Sequence, residues 1–213
     1  MLHVNLTVAK HLSDEKARRV IDQLVTSLSG HADVDGRMTV DFAPAGERQV
    51  QGAFHSAEHA VGFILSAARS EIWGVQLSLV PNRQNEQLQA TNIDVMPYMQ
   101  AKVGEASAAA VRAPGGVAVR LLQADALVSA KIAPELGPVE SALQLLCAIE
   151  QRRSAEGQEA GFMVNAGTSQ TMAARKLGVS QQAVSARLQS GYWYESRRMA
   201  YWLAVQIHEL IES

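Results

Sequence analysis

Residues 167–191 read GTSQTMAARKLGVSQQAVSARLQSG, and two short helix-like runs in this stretch meet at Gly178. A glycine readily adopts the positive φ that a tight turn between two helices requires. Ala174, four residues earlier, is small enough for the helices to cross closely, and Ser180 is placed to cap the second helix through its hydroxyl. Four apolar residues fall where a helix-turn-helix buries its contacts: Leu177, Val179, Val184 and Leu188. The stretch therefore predicts a helix-turn-helix.

The second run of this motif opens with two adjacent glutamines, Gln181 and Gln182. Helical spacing from Gly178 also places Ser185 and Gln189 on the exposed face. In a DNA-binding helix-turn-helix, the N-terminal part of the second helix enters the major groove. A glutamine amide can donate to and accept from adenine at the same time. We therefore predict that Gln181, Gln182, Ser185 and Gln189 read bases in double-stranded DNA.

Basic residues surround the same motif. Between positions 168 and 198 there are five basic residues and one acidic residue, a local net charge of +4, although the whole chain carries −2. A basic patch on an acidic protein is expected where phosphates are bound. The predicted phosphate contacts are Arg175, Lys176, Arg187, Arg197 and Arg198, with Arg187 on a helix face that is partly inward. The alternative is a helical hairpin used for packing or dimerisation, which would favour apolar residues at 181, 182 and 185.

An aromatic cluster follows the motif, formed by Tyr192, Trp193, Tyr194, Tyr201 and Trp202. Stacking on nucleobases is one use of such residues. We expect instead that they pack the last helix onto the motif or onto a second subunit. Proteins with this motif commonly read two half-sites through a two-fold dimer, which leads us to expect a homodimer.

The rest of the chain predicts an α+β protein. Periodicity and turn residues indicate, in order, a strand, a helix, a hairpin, a helix, a strand, a helix and a strand, at 3–9, 13–30, 37–54, 56–70, 72–81, 95–112 and 117–123. This order fits one sheet covered by helices, as in a ferredoxin-like or palm domain. From about 125 onward only helices are predicted, including one starting near Pro138. We place the domain boundary where Pro and Gly cluster, giving a sensor or dimerisation domain at 1–133 and a DNA-binding domain at 134–213.

Composition excludes several classes of protein. Cys147 is the single cysteine, which excludes an intrachain disulfide framework and a cysteine-based zinc site. The apolar start is too short for a signal peptide, and no run approaches the roughly 18 apolar residues of a membrane helix. We therefore expect a cytoplasmic protein without a membrane partner.

No catalytic, cofactor or metal site is predicted. His55-Ser-Ala-Glu-His59 matches an inverted zinc-protease pattern, but Ser56 is the natural cap of the following helix and leaves His55 outside it. Cys147 lies in an apolar run and is expected to be a buried small hydrophobe. The aspartates near the hairpin, Asp33, Asp35 and Asp41, are spread over loop and strand and are expected to be solvated.

Two segments together resemble the SatD-like family, which pairs an N-terminal palm-like domain with a C-terminal helix-turn-helix. The resemblance is most specific in LGVSQQAVSARLQSGYWYESRR (177–198) and weaker in AGERQVQGAFHSAEHAV (45–61). It implies a transcription regulator. In the family the hairpin is similar to that of nucleotide-cyclase palms, where aspartates could hold a divalent metal.

This chain departs from that pattern. Its first strand carries no carboxylate, and the hairpin turn places Arg48 beside Glu47. The palm-like domain is therefore expected to be catalytically silent and to leave room for an unidentified small-molecule effector. Two alternatives stay open: a metal-dependent nucleotide-processing enzyme that uses the helices for targeting, and a protein-interaction adaptor.

Overall fold

The computed structural model describes residues 1–29, 38–82, 113–122 and 126–212. The strands are β1 (Leu2–Val8), β2 (Met38–Gly46), β3 (Gln49–Phe54), β4 (Trp73–Leu79) and β5 (Val117–Leu121). The α-helices are α1 (Asp14–Ser29), α2 (Ala57–Ala68), α3 (Ala126–Arg152), α4 (Ala155–Asn165), α5 (Gln170–Leu177), α6 (Gln181–Ser190) and α7 (Trp193–Glu212). The prediction of a mixed α+β protein is confirmed, and the predicted strands, α1 and α2 agree with these bounds to within two residues. The helix predicted at 95–112, residue 30 at the end of the first predicted helix, and Asp33 and Asp35 lie outside the described residues.

The five strands form one mixed sheet in the order β2-β3-β1-β4-β5. The central strand β1 is antiparallel to both neighbours, with Val4 opposite Gly52 of β3 and Leu77 of β4. Strand β5 runs parallel to β4. A parallel neighbour requires a crossover, whereas β2 and β3 are joined by a hairpin.

The first face of the sheet carries the main hydrophobic core. Alternate residues of β1 point to this face because side chains alternate along a strand: Leu2, Val4, Leu6 and Val8, each no more than 1% exposed. Helices α1, α2, α3 and α7 contribute to the same buried cluster, α7 through Leu203, Ala204, Ile207 and Ile211. The last helix of the chain therefore packs against the sheet formed by the first half.

The second face of the sheet is polar and also buried. His3 and Asn5 of β1, Gln51 of β3, and Gln76 and Ser78 of β4 are each at most 2% exposed. Among the described residues, no partner of hydrogen-bond geometry exists for either ring nitrogen of His3 or for the side-chain oxygens of Asn5, Gln51 and Gln76. Burial lowers the pKa of His3 to about 4, and the nearby Gln51 amide opposes this only partly.

Helix α3 differs from the prediction in its start. It begins at Ala126 and not near Pro138, and it contains both Pro134 and Pro138. Proline removes one helical hydrogen bond and frees the carbonyl four residues earlier. These prolines and Ala130 lie on the exposed side of the helix, so water can satisfy the freed carbonyls. The predicted division at 133/134 therefore falls inside a continuous helix.

Candidate nucleic-acid interface

Helices α4, α5 and α6 form a small three-helix unit with its own core. Ala160, Ala173, Ala174, Val184, Leu188 and Trp193 are its buried members, and Leu177 and Val179 pack against them half-buried. Gly161 of α4 leaves room for the ring of Trp193, since a Cβ at this glycine would lie 2.2 Å from the ring. The apolar positions predicted from the motif are therefore the ones that hold this unit together.

The turn between α5 and α6 has the predicted geometry. Gly178 has φ +65°, in the left-handed region that favours glycine, and the Val179 N–H donates to the Ala174 carbonyl at 3.0 Å. The Ser180 Oγ accepts from the Ala183 N–H at 3.1 Å, which caps α6. These contacts set the direction in which α6 leaves the turn.

The outer face of α6 is polar and accessible. Gln181, Gln182 and Gln189 are exposed, and Ser185 is half-buried. The first two lie in the first turn of α6, where the unpaired backbone N–H groups of a helix also point outward. This end of the helix can thus present amide donors and acceptors to another molecule.

The predicted phosphate contacts fall into two groups. Arg175 and Lys176 are exposed in the last turn of α5, and Arg198 is exposed in α7, 3.4 Å from Glu195. Arg187 is half-buried. Hydrogen bonds with the Glu156 backbone and with Ser154 lower the pKa of Glu156 on α4, and the charge of Arg187 adds to this effect. This placement agrees with the partly inward face expected for Arg187.

Arg197 is partly buried beside Trp193 and Glu150. Its guanidinium lies 4.4 Å from the centroid of the Trp193 ring and 3.8 Å from Glu150, with 32% of the side chain exposed. Burial lowers the pKa of Arg197 from its usual value, which the Glu150 charge opposes. The sequence predicts a phosphate contact for this residue, and the structure places its partly exposed side chain in a cluster with Trp193 and Glu150.

That cluster is centred on Glu150, which sequence reasoning missed. The Glu150 carboxylate is fully buried and lies 2.9 Å from Arg69 and 2.7 Å from Arg153. Arg153 also donates to the Gly191 carbonyl at 3.0 Å and to the Ser196 Oγ at 2.9 Å. The cluster therefore ties α2 beside the sheet to the end of α6 and the start of α7. Its local sequence signal is a glutamate three residues before an arginine, which is common on exposed helices.

The aromatic cluster divides in the same region. Trp193 is 2% exposed and packs as expected onto the motif. Tyr192, Tyr194, Tyr201 and Trp202 remain between 40% and 65% exposed. Gln170 of α5 donates to the Tyr194 hydroxyl at 3.2 Å, which joins this exposed group to the motif.

Of the other residues considered from the sequence, Glu58 is exposed and His59 is half-buried, with no hydrogen-bond partner for its buried Nδ1 among the described residues. His55 is exposed before α2, and the Ser56 Oγ caps α2 by accepting from the His59 N–H at 3.4 Å. Burial raises the pKa of Cys147 to about 12, which disfavours a thiolate nucleophile. Arg48 donates to the carbonyls of Ala9 and Leu12 at 2.7 and 2.9 Å. These two hydrogen bonds connect the hairpin turn to the segment after β1.

Asp41 is exposed, and within the described residues no group of three or more His, Cys, Asp or Glu side chains is arranged to hold a metal ion. None of the described helices has the length and apolar character needed to cross a membrane.

Comparisons with protein-family models, with curated proteins and with solved structures each give no match.

Proposed function

We propose that this chain is a sequence-specific double-stranded DNA-binding protein that acts as a homodimeric transcription regulator. The observation that supports the proposal most directly is the helix-turn-helix geometry with two exposed glutamines, Gln181 and Gln182, in the first turn of α6. A recognition helix uses this part of its surface to contact base edges. Gln182 and its neighbour would recognise adenine through paired donor and acceptor contacts. Ser185 and Gln189 would extend the contact along the groove.

The phosphate contacts we propose are Arg175, Lys176 and Arg198, with Arg187 at the margin. The first three are exposed, so their charges are free to meet a DNA backbone without first leaving a buried partner. Arg197 receives a different role, since its contacts with Trp193 and Glu150 hold the start of α7 against the motif. In this role Arg197 positions the DNA-binding surface through Trp193 without contacting DNA itself.

The N-terminal part is proposed to be a palm-like domain of the SatD-like type that carries out no catalysis. The strand order β2-β3-β1-β4 and the alternation of strands with α1 and α2 support this assignment, because a split βαβ arrangement has the same order. A metal-dependent nucleotide-processing enzyme is the alternative. Turnover of nucleoside triphosphates with Mg²⁺ by the purified protein would support that alternative and contradict this proposal.

The homodimer is supported by the exposed side of α7. Tyr201, Trp202 and Val205 are 65%, 47% and 36% exposed and lie within two turns of each other. Exposed apolar groups of this kind commonly mark contact surfaces. Light scattering should give twice the mass of one chain, and Tyr201→Glu combined with Trp202→Glu should halve it.

The experiment that tests the function is selection of a random duplex DNA library by the purified protein at near-physiological salt, followed by sequencing. Enrichment of a motif, especially a palindrome, is the expected result. Gln182→Ala should cost about 1–3 kcal/mol of binding and relax the preference at one base position. Lys176→Ala should weaken binding to all sequences alike and reduce the salt dependence by about one ion.

Matched controls are available on α1, where Gln23 and Lys16 are also exposed. Gln23→Ala and Lys16→Ala should leave both the affinity and the enriched motif unchanged. If the two interface variants behaved identically, the separation into base-reading and phosphate-binding residues would be wrong. No retention of DNA even at low salt would favour the protein-interaction adaptor.

A further inference from the structure

A groove of about 810 Å³ lies between α2, α7 and the end of α1, and none of its described lining residues belongs to α6. Its lining includes Leu28, Phe54, Phe63, Arg197 and Tyr201. The volume is in the range of small-molecule sites, which are mostly apolar and carry a few polar groups that orient the ligand. The groove is therefore large enough for a molecule of metabolite size.

A glycine in the middle of α2 keeps the groove open. Gly62 lines it, and a Cβ at this position would have no atom within 4 Å. Glycine inside a helix costs roughly 0.5–1 kcal/mol relative to alanine. No close packing within the described structure requires its small size here. The missing side chain instead leaves space above the helix that a ligand can occupy.

The walls of the groove are aromatic on one side. Phe54 and Phe63 lie with ring centroids 5.3 Å apart, and Phe63 is half-buried, so its ring reaches the groove surface. Leu28 of α1 completes the apolar wall. Aromatic rings prefer offset or edge-to-face neighbours, so an aryl group is a suitable occupant.

The charge at one end of the groove is positive. Arg197 belongs to a group of three arginines that share the single carboxylate of Glu150, which leaves a net positive charge there. The contact of Arg197 with Glu150 is the longest of the three, at 3.8 Å, and 32% of the Arg197 side chain is exposed. Its Nε is buried and has no hydrogen-bond partner within the described structure. Arg197 is therefore the arginine held least closely by Glu150, and a guanidinium binds a carboxylate through paired hydrogen bonds.

The acidic residue of the lining is separated from this end. Glu58 lies in the first turn of α2, whereas Arg69, which shares Glu150 with Arg197, follows its last turn. Eleven residues of helix correspond to about 16 Å. Glu58 is exposed at the start of α2, so water and salt screen its charge. A ligand with one anionic end and an apolar body fits this distribution of charge.

We propose that the groove between α2 and α7 binds a small organic carboxylate with an aryl body, its carboxylate on Arg197 and its ring against Phe63. The regulatory consequence rests on the proposed DNA-binding function. Arg197 stacks on Trp193, which is part of the core of the three-helix unit. A ligand that draws Arg197 away from Trp193 and Glu150 changes the support of the motif, so the carboxylate acts as an effector of DNA binding.

Titration calorimetry of the full-length protein with phenylacetate, 3-phenylpropionate and indole-3-acetate tests the site, with 2-phenylacetamide as the uncharged control. At least one carboxylate should bind in the micromolar to millimolar range, and the amide should bind at least tenfold more weakly. Gly62→Leu should weaken binding at least tenfold because its side chain occupies the groove. Gly137→Leu is the matched control, since Gly137 is also helical and has open space where a Cβ would lie, and it should bind as the unchanged protein does.

The proposed site would be overturned if none of the three carboxylates bound at concentrations up to about 10 mM. Equal binding by the two leucine variants would overturn it as well. Arg197→Lys keeps the charge but loses the paired donors, and it should weaken carboxylate binding while circular dichroism confirms folding. Ligand binding without any DNA binding would leave the site standing and contradict the proposed regulator. DNA binding that does not respond to a bound carboxylate would overturn the effector role alone.

Discussion

Glu150 is one carboxylate surrounded by three guanidinium groups, and its side chain is fully buried. The side chain of Arg153, its closest partner, is 1% exposed. Both charges of this pair are therefore shielded from water and are compensated mainly by each other. Removing one member of a buried pair leaves the other charge without compensation, which typically costs about 3–5 kcal/mol. The cluster therefore has a larger effect on stability than the exposed ion pairs of the described chain.

We expect Glu150→Gln to lower the free energy of unfolding by about 3–5 kcal/mol, measured by urea denaturation. Glu195→Gln is the matched control, because the Glu195–Arg198 pair is exposed on both sides. The control should change stability by less than about 1 kcal/mol. Equal effects of the two substitutions would show that the buried cluster does not stabilise the contact of α2 with the end of α6 and the start of α7.

His3 makes the stability dependent on pH. Its pKa is lowered from 6.5 to about 4 in the folded protein, so the unfolded chain takes up a proton at a higher pH than the folded one. The stabilisation from keeping His3 neutral is fully present above pH 6.5 and is lost as the pH falls toward 4. A shift of this size corresponds to roughly 3 kcal/mol. His3→Gln should reduce the change in the urea midpoint between pH 7.5 and 4.5. The same substitution at exposed His11 should leave this pH dependence unchanged.

At the scale of elements, the cap of α6 connects local structure with the proposed contact to DNA. Ser180→Ala removes the acceptor for the Ala183 N–H and should cost about 0.5–2 kcal/mol. Fraying of the first turn should also weaken DNA binding, because Gln181 and Gln182 lie in that turn. Ser190→Ala, at the other end of α6, removes an exposed contact to the Arg187 carbonyl and serves as the control. A loss of stability that leaves DNA affinity unchanged would separate the cap from the contact surface.

The contact between α4 and α7 depends on Gly161. A Cβ there would lie 2.2 Å from the Trp193 ring, so Gly161→Ala has to displace a buried indole. Overpacking of this kind costs about 1–3 kcal/mol, despite the better helix propensity of alanine. Gly137→Ala, in open space on α3, should be neutral or stabilise the protein by up to about 1 kcal/mol. Thermal unfolding of both variants measures the difference, and a stable Gly161→Ala protein would contradict the packing described for Trp193.

At the scale of the whole molecule, α3 and α7 belong to the core of the sheet. Leu143 and Leu146 of α3 and Leu203 and Ile207 of α7 are each at most 1% exposed in the cluster that includes β1. Helices α4 to α6 form a separate small core between them. The protein is thus a sheet-centred unit into which a three-helix motif is inserted between two of its own helices.

A fragment of residues 134–213 should therefore fail to fold alone. Its α3 and α7 residues would expose the apolar side chains that the sheet covers in the full chain, and apolar burial is the main favourable contribution to folding. Circular dichroism of the fragment should show no cooperative thermal transition, while the full chain shows one. A fragment that folds cooperatively would support the division at 133/134 instead.

Some features of this protein were determined by the sequence itself because they depend on neighbours within a few residues. Gly178, Ser180 and the spacing of Val184 and Leu188 define the helix-turn-helix through backbone conformation and capping, which act locally. The alternation in β1 and the cap at Ser56 are local in the same way. The exposure of Gln181 and Gln182 follows directly from that register.

Other features were decided only by the tertiary structure. Glu150 contacts Arg69, 81 residues away, through the packing of α2 against α3, and the same carboxylate lies near Arg197 of α7. No sequence pattern near Arg197 could therefore indicate this contact. The predicted start of α3 is wrong because proline and glycine indicate a break in a helix. The helix continues through Pro134 and Pro138 because the carbonyls that they free lie on its exposed side, where water can bind them. The groove beside Gly62 and the joining of α7 to the sheet likewise depend on which distant surfaces meet. Local periodicity indicates which face of a helix or strand is buried, but it does not indicate which distant segment covers that face. That choice depends on how the apolar surfaces of the whole chain pack together.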